Sequence, residues 1–308
     1  MAPIDLPPLV VERATNNGVA GRLWLEQLPA VVAELAERWR LEIGPTYSGG
    51  TAGYIAACTD TDGNPLVLKV ALPLTINDRD AFTRAVHVHR IADGRGCVRL
   101  VAADDATSSM LLERLGPNLA ELGLDLPEMF AAITSTLRAF WRPVADDPML
   151  RSGVDQAHWL AGFIDATWRE LDQPCEREVI DRAIELCDRR RAAFDPARAV
   201  LVHGDAHGWN TVSDGAGAYR FVDPEGLWSE PEHDLAVPMR EYNGPLIAGD
   251  TSRLVRERAE LLAGACDVDP QAVWEWGFIE RVSTGLAGLR DFDGDDSAVF
   301  LEVARRSR

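Results

Sequence analysis

Lysine is almost missing from this chain of 308 residues. Its 31 basic residues are 30 arginines and one lysine, Lys69. Cysteine is scarce as well. Cys58, Cys97, Cys175, Cys187 and Cys266 are odd in number, widely spaced, and form no CxxC pair. That spacing excludes a disulfide scaffold or a zinc finger and fits a reduced, cytoplasmic protein. No apolar run approaches the roughly 18 residues needed to span a bilayer, so no membrane role is expected. Residues 1–11 lack a basic stretch followed by an apolar core, so no signal peptide is expected. Positive charge is also short: 49 acidic residues give a formal net charge of −18. A nucleic-acid binder would carry a basic footprint, so that class is excluded. An acidic surface suits a cationic partner, or it serves only solubility. Residues 1–120 hold 14 acidic and 11 basic residues, net −3, and residues 121–308 hold 35 and 20, net −15.

What is present divides the same way. Leu28, Val31, Val32, Leu35 and Trp39 recur at helical spacing within 23–39. Strands are expected over 41–47, 54–59, 66–72, 98–103 and 110–115, with a Gly-rich turn at 48–53 and a helix over 78–92. After Gly116-Pro117 the pattern turns helical, over 127–141, 156–171, 176–193, 234–241, 253–263, 270–289 and 298–306. A short β-like interlude lies at 200–222. The expected fold class is α+β, with a β-rich unit at 1–116 and a mainly helical unit at 117–308.

The stretch that carries chemistry is His203-Gly204-Asp205-Ala206-His207-Gly208-Trp209-Asn210, followed by Phe221-Val222-Asp223-Pro224. An Asp, an Asn five positions on, and an Asp closing a short apolar strand are what phosphoryl transfer uses. The first Asp lies beside the acceptor hydroxyl; the Asn and second Asp hold metal ions that bridge nucleotide phosphates. Such oxygen ligands suit Mg²⁺. Lys69 sits in Leu66-Val67-Leu68-Lys69-Val70-Ala71, where an ammonium in an apolar strand needs a partner. Gly49, Gly50 and Thr51 form a turn whose backbone N–H groups can approach phosphate. Leu111-Leu112-Glu113-Arg114-Leu115-Gly116 fits a connection where main-chain groups meet an adenine edge. His203 and His207, four apart, also admit a metal hydrolase. That reading has only His233 as a nearby third ligand and leaves Asn210 unexplained.

Taken together, these residues resemble the aminoglycoside/hydroxyurea resistance kinases, a branch of the protein-kinase-like two-lobe fold. The resemblance covers roughly 41–289 and extends to Ser229-Glu230-Pro231-Glu232-His233-Asp234-Leu235. It implies Asp205 as catalytic base, Asn210 and Asp223 as Mg²⁺ ligands, and Lys69 on the α/β-phosphates of ATP or GTP. Gly49, Gly50, Thr51, Glu113 and Leu115 complete the implied nucleotide site. Asp234 is expected to cap a helix and brace the catalytic loop. The implied acceptor is a small cationic antibiotic such as streptomycin, or hydroxyurea or another small metabolite. Candidate acceptor residues are Glu225, Glu230, Glu232 and Glu241, with Trp228, Trp274 and Trp276 as flat cation–π surfaces or core. One departure stands out. The helix Glu that usually pairs with the strand Lys is replaced by Ala85. Either another group holds Lys69, or the chain binds nucleotide with impaired catalysis. Nothing in the sequence sets the oligomeric state.

Overall fold

The computed structural model describes residues 4–49, 53–73, 81–291 and 297–308. The chain folds as two compact units. One runs to Gly116 and takes in Asp214–Ala216; the other comprises Pro117–Ser213 and Gly217–Arg308.

The first unit begins with α1 (Pro8–Asn16) and α2 (Gly18–Trp39). Helix α1 lies ahead of the expected helical stretch. A proline occupies its first turn, where the missing N–H costs nothing. At Gly21 a Cβ would lie 1.8 Å from the Ala14 carbonyl oxygen, so only glycine lets α2 fold back along α1. Leu28, Val32 and Leu35 of α2 then cover one sheet face. The strands are β1 (Glu42–Thr46), β2 (Gly53–Thr59), β3 (Pro65–Ala71), β4 (Leu100–Asp104) and β5 (Ser109–Glu113), with α3 (Ala81–Ala92) between β3 and β4. They pair antiparallel in the order β1-β2-β3-β5-β4. Tyr54, Ala56 and Cys58 of β2 and Leu66, Leu68 and Val70 of β3 meet α2. Side chains alternate along a strand, so Lys69 belongs to the opposite face, in register with Ile55 and Met110. Residues 78–80, the expected start of α3, lie outside the described residues.

The second unit is mainly helical: α4 (Leu126–Phe140), α5 (Gly153–Glu170), α6 (Arg177–Ala193), α7 (Ala236–Arg240), α8 (Asn243–Ala248), α9 (Thr251–Cys266), α10 (Pro270–Asp291) and α11 (Ala298–Ser307). A capping box, Asp125 with Glu128, opens α4. The hub is α10, which packs against α5, α6, α7, α9 and α11. Short strands carry the loops: β6 (Arg142–Pro143), β7 (Arg151–Ser152), β8 (Val200–Val202), β9 (Thr211–Ser213), β10 (Tyr219–Phe221) and β11 (Leu227–Ser229). They form a β6-β8-β11-β7 sheet and a β9-β10 hairpin. Among the described residues, no helix is long and apolar enough to cross a membrane.

His233, in the turn Pro231–His233, is fully buried edge-on against Trp276, with ring centroids 4.5 Å apart. Neither ring nitrogen meets a hydrogen-bond partner among the described residues. Burial, aided by the charge of Arg240, pushes its pKa down to about 4. The unfolded chain therefore takes up a proton near pH 6.5 that the folded chain refuses until about 4. The stability contributed by the neutral ring is complete above pH 6.5 and is lost as pH falls through that window. His233→Phe has no such proton uptake. Urea denaturation at pH 7 and pH 5 should show the variant losing less stability on acidification than the wild type, by roughly 1–2 kcal/mol. Equal losses would contradict the assignment.

Candidate active site

The second unit's loops converge on Asp205. Strand β8 ends at Val202, and the chain turns through Gly204, whose φ of 90° is in the left-handed region that favours glycine. The turn is fastened by Asp234. Its carboxylate accepts from the backbone N–H of His203 at 2.8 Å, from that of Gly204 at 2.7 Å, and from the Trp141 indole at 2.8 Å. Burial pushes this carboxyl up to about 6, and the three hydrogen bonds oppose the rise. The brace expected of Asp234 is present. The expected cap is not, because Leu235 occupies the N-cap of α7 and no side-chain cap forms there.

His203 is fully buried between Phe140 and Phe221, and burial lowers its pKa to about 4. Its Nδ1 accepts from the Asp205 N–H at 3.2 Å, so its Nε2–H donates to the Val222 carbonyl at 3.0 Å. Both nitrogens are thereby engaged, and neither is left to ligate a metal in a hydrolase. Among the described residues no cluster of three or more His, Cys, Asp or Glu is arranged to hold a metal. His207 takes the Trp209 N–H on Nδ1 and directs Nε2 to Asp205 Oδ2 at 3.2 Å.

Asn210 ends the 3-10 turn Gly208–Asn210. Its Nδ2 donates to the Asp205 carbonyl at 3.0 Å and to Asp205 Oδ2 at 3.2 Å, which leaves its Oδ1 for a cation. The Asn210 carbonyl accepts from Val222 N–H at 2.9 Å and so sets Asp223 beside it in a left-handed turn, φ 55°. An amide oxygen with a carboxylate is a hard donor set that fits Mg²⁺.

Asp205 Oδ1 meets the Arg240 guanidinium at 2.9 Å. Burial pushes the Asp205 carboxyl up, but the His207 hydrogen bond and the Arg240 charge together more than reverse this. Asp205 is held well below the usual carboxylate range. It borders a cavity of about 200 Å³ whose walls include Trp159, Phe163, Glu225, Arg240 and Glu280. Trp159 is exposed and stacks on Phe163 at 5.2 Å. Glu225 keeps solvent contact on one side, which limits the effect, yet desolvation on the other, with the charges of Asp205 and Glu280, pushes its carboxyl up to about 7.

Of the acceptor candidates, only Glu225 lines this cavity. Glu241 directly follows Arg240 at the end of α7, half-exposed, with its Oε1 3.4 Å from Arg240 Nε. Trp228, Glu230, Glu232 and Trp276 are corrected: all are buried in the interior of the unit. Trp228 packs on Phe194 at 5.4 Å. Glu230 accepts from the Trp276 indole at 2.7 Å and pairs with Arg190. Glu232 pairs with Arg198 at 2.5 Å and accepts the Asp269 N–H. All four side chains are buried, so they present no surface to an acceptor. Trp274 is buried as well, with Arg182 and Arg256 against its ring.

In the first unit, Lys69 is half-buried on β3 and Ala85 half-buried on α3. Gly49 is exposed; Gly50 and Thr51 lie outside the described residues. Glu113 closes β5. Its N–H goes to the Arg99 carbonyl at 3.0 Å and its Oε1 accepts the Arg99 N–H at 2.7 Å, so neither group is left to meet an adenine edge. Leu115 is half-buried just past that strand. Sequence reasoning missed Arg240, Glu280, Trp159 and Phe163. Only the aromatic pair four apart on α5 had a signal of its own.

Comparisons with known proteins identify the family and the fold. Residues 38–292 match the family described as aminoglycoside/hydroxyurea antibiotic resistance kinase. A streptomycin 6-kinase of Streptomyces glaucescens is 28% identical over 98% of this chain and 97% of its own length. A hydroxyurea phosphotransferase of Kitasatospora aureofaciens is 32% identical over 98% of this chain and 85% of its own. Among solved structures, the aminoglycoside phosphotransferase APH(4)-Ia in ternary complex with ADP and hygromycin B has a TM-score of 0.59 at 16% identity, covering 89% of this chain and 97% of that one. The architecture is thus the protein-kinase-like one, an antiparallel-sheet unit followed by a helical unit. With the match spanning most of its length, the chain belongs to the aminoglycoside/hydroxyurea antibiotic resistance kinase family.

Proposed function

We propose that this kinase transfers the γ-phosphoryl group of ATP or GTP to a hydroxyl of a small cationic antibiotic, with streptomycin as the leading acceptor. The observation that carries this reading is Asp205 at the edge of a cavity that also holds Glu225 and Glu280, within residues 121–308, whose net charge is −15. Carboxylates outnumber the guanidinium there, so a cationic acceptor is drawn in and an anionic one is not. The relationship to a hydroxyurea phosphotransferase supports a second acceptor, hydroxyurea.

In this reading the acceptor hydroxyl donates to Asp205, which aims its oxygen at the γ-phosphorus. The new P–O bond forms as the bond to the β-phosphate oxygen breaks, ADP or GDP leaves, and the hydroxyl proton passes to Asp205 and then to water. A carboxylate held this acidic is a weak base. That suits a loose transition state, in which the proton moves late and orientation matters more than abstraction. Asn210 Oδ1 and Asp223 would hold Mg²⁺, which when bound offsets the charge of the phosphates. Lys69 takes the α- and β-phosphates, with Gly49, Gly50, Thr51 and Leu115 as further nucleotide contacts. The five cysteines form no disulfide among the described residues, which fits a cytoplasmic enzyme.

A coupled assay for nucleotide consumption across an aminoglycoside panel plus hydroxyurea tests the function. Turnover with streptomycin is expected; nucleotide binding with no acceptor-dependent turnover would overturn it. Asp205→Asn should cut kcat by at least about 10²-fold, with nucleotide affinity nearly unchanged. Full turnover in that variant would remove Asp205 from its role. The Ala85 departure has its own test. If another group already holds Lys69, Ala85→Glu leaves kcat within about threefold of wild type. A rise of tenfold or more would mean that the missing pair limits catalysis.

A further inference from the structure

Asp205 is gripped from a second side by a residue outside the catalytic loop. Arg240 is the last residue of α7 and mostly buried. Its Nη2 meets Asp205 Oδ1 at 2.9 Å, its Nη1 meets Glu280 Oε2 at 2.8 Å, and its Nε lies 3.4 Å from Glu241 Oε1. The other Asp205 oxygen, Oδ2, takes Asn210 Nδ2 and His207 Nε2. One carboxylate oxygen is therefore tied to the loop and the other to α7, which fixes the carboxylate plane. A single anchor would leave it free to rotate about its Cβ–Cγ bond.

The anchor itself is unusually well held. A five-residue helix has little stability of its own. Here its final carbonyls are taken by two buried guanidiniums. Arg258 donates to the Met239, Glu241 and Tyr242 carbonyls, and Arg281 to those of Met239 and Arg240. A Cβ on Gly277 of α10 would lie 2.7 Å from Met239 Cβ, so α7 rests directly on the hub helix. Glu280 stands on that helix, three residues from Gly277. The rigid hub thus reaches Asp205 through Glu280 and Arg240.

We propose that Arg240, held by Glu280, is a positioning residue for the phosphoryl transfer: its guanidinium fixes Asp205 Oδ1 so that the carboxylate faces the acceptor hydroxyl. This rests on Asp205 as the acceptor-orienting group. An ion pair serving only the fold would change stability and leave the folded enzyme's turnover alone. A misplacement of about 1 Å at a reacting group costs on the order of 10²-fold in rate.

The test is steady-state kinetics with streptomycin on Arg240→Ala, Arg240→Lys and Glu280→Gln, with Asp205→Asn in parallel. Folding of each is checked by thermal unfolding. The proposal predicts that Arg240→Ala loses about 10²-fold in kcat while the nucleotide KM stays within about twofold. Guanidinium at non-denaturing concentration should restore at least tenfold, and sodium at equal ionic strength should not. Arg240→Lys and Glu280→Gln should fall between wild type and Arg240→Ala. Wild-type kcat in folded Arg240→Ala would overturn the proposal, as would a loss that neither guanidinium nor Lys lessens. If Arg240→Ala does not fold, wild-type kcat in both Arg240→Lys and Glu280→Gln overturns it. Full turnover in Asp205→Asn would instead overturn the role of Asp205 itself.

Discussion

One buried carboxylate organises the catalytic half of this protein. Asp234 gathers the N–H groups of His203 and Gly204 and the indole of Trp141 at 2.7 to 2.8 Å. Leaving those donors bare in the interior would cost about 1–3 kcal/mol each. The loop is thus committed to one path, and the rest of the site inherits it. The fixed backbone presents the Asp205 N–H to His203 Nδ1, the His203 ring then faces Val222, and Val222 ties the Asp223 turn to Asn210. Three residues expected to perform chemistry are placed by three that do none.

The same economy governs charge. The interior of the helical unit holds Glu230, Glu232, Glu275 and Glu280 with Arg190, Arg240, Arg258 and Arg281. Arginine suits these positions because its planar fork meets several acceptors at once, as Arg258 does with three carbonyls. The chain holds one lysine beside thirty arginines. The buried arginines account for part of that bias, and Lys69 stands half-buried on β3.

What could be read from the sequence was local. Asp205, Asn210 and Asp223 are legible because their spacing is set by a single turn and a short hairpin. The sheet strands are legible from two-residue alternation and Gly/Pro punctuation. The two-residue strands β6 and β7 are too short to show a period, and so is the six-residue α8, which opens with Asn-Gly-Pro. The stretch at 228–232, with Trp228, Glu230 and Glu232, reads as a surface. It is interior, where Arg190, Arg198 and Trp276, remote in sequence, meet the carboxylates of Glu230 and Glu232. The Arg240–Glu280 link, spanning 40 residues, has no sequence period to announce it.

Everything at the site depends on Asp234 as the brace of the catalytic loop. Asp234→Asn replaces one acceptor oxygen with a donor and leaves a backbone N–H facing it. The decisive measurement is kcat of the folded variant beside amide hydrogen exchange at His203 and Gly204. Loss of the brace should speed exchange at both amides and lower kcat by about 10²-fold, with nucleotide binding retained. Wild-type kcat with wild-type exchange protection would show that Asp234 does not hold the loop.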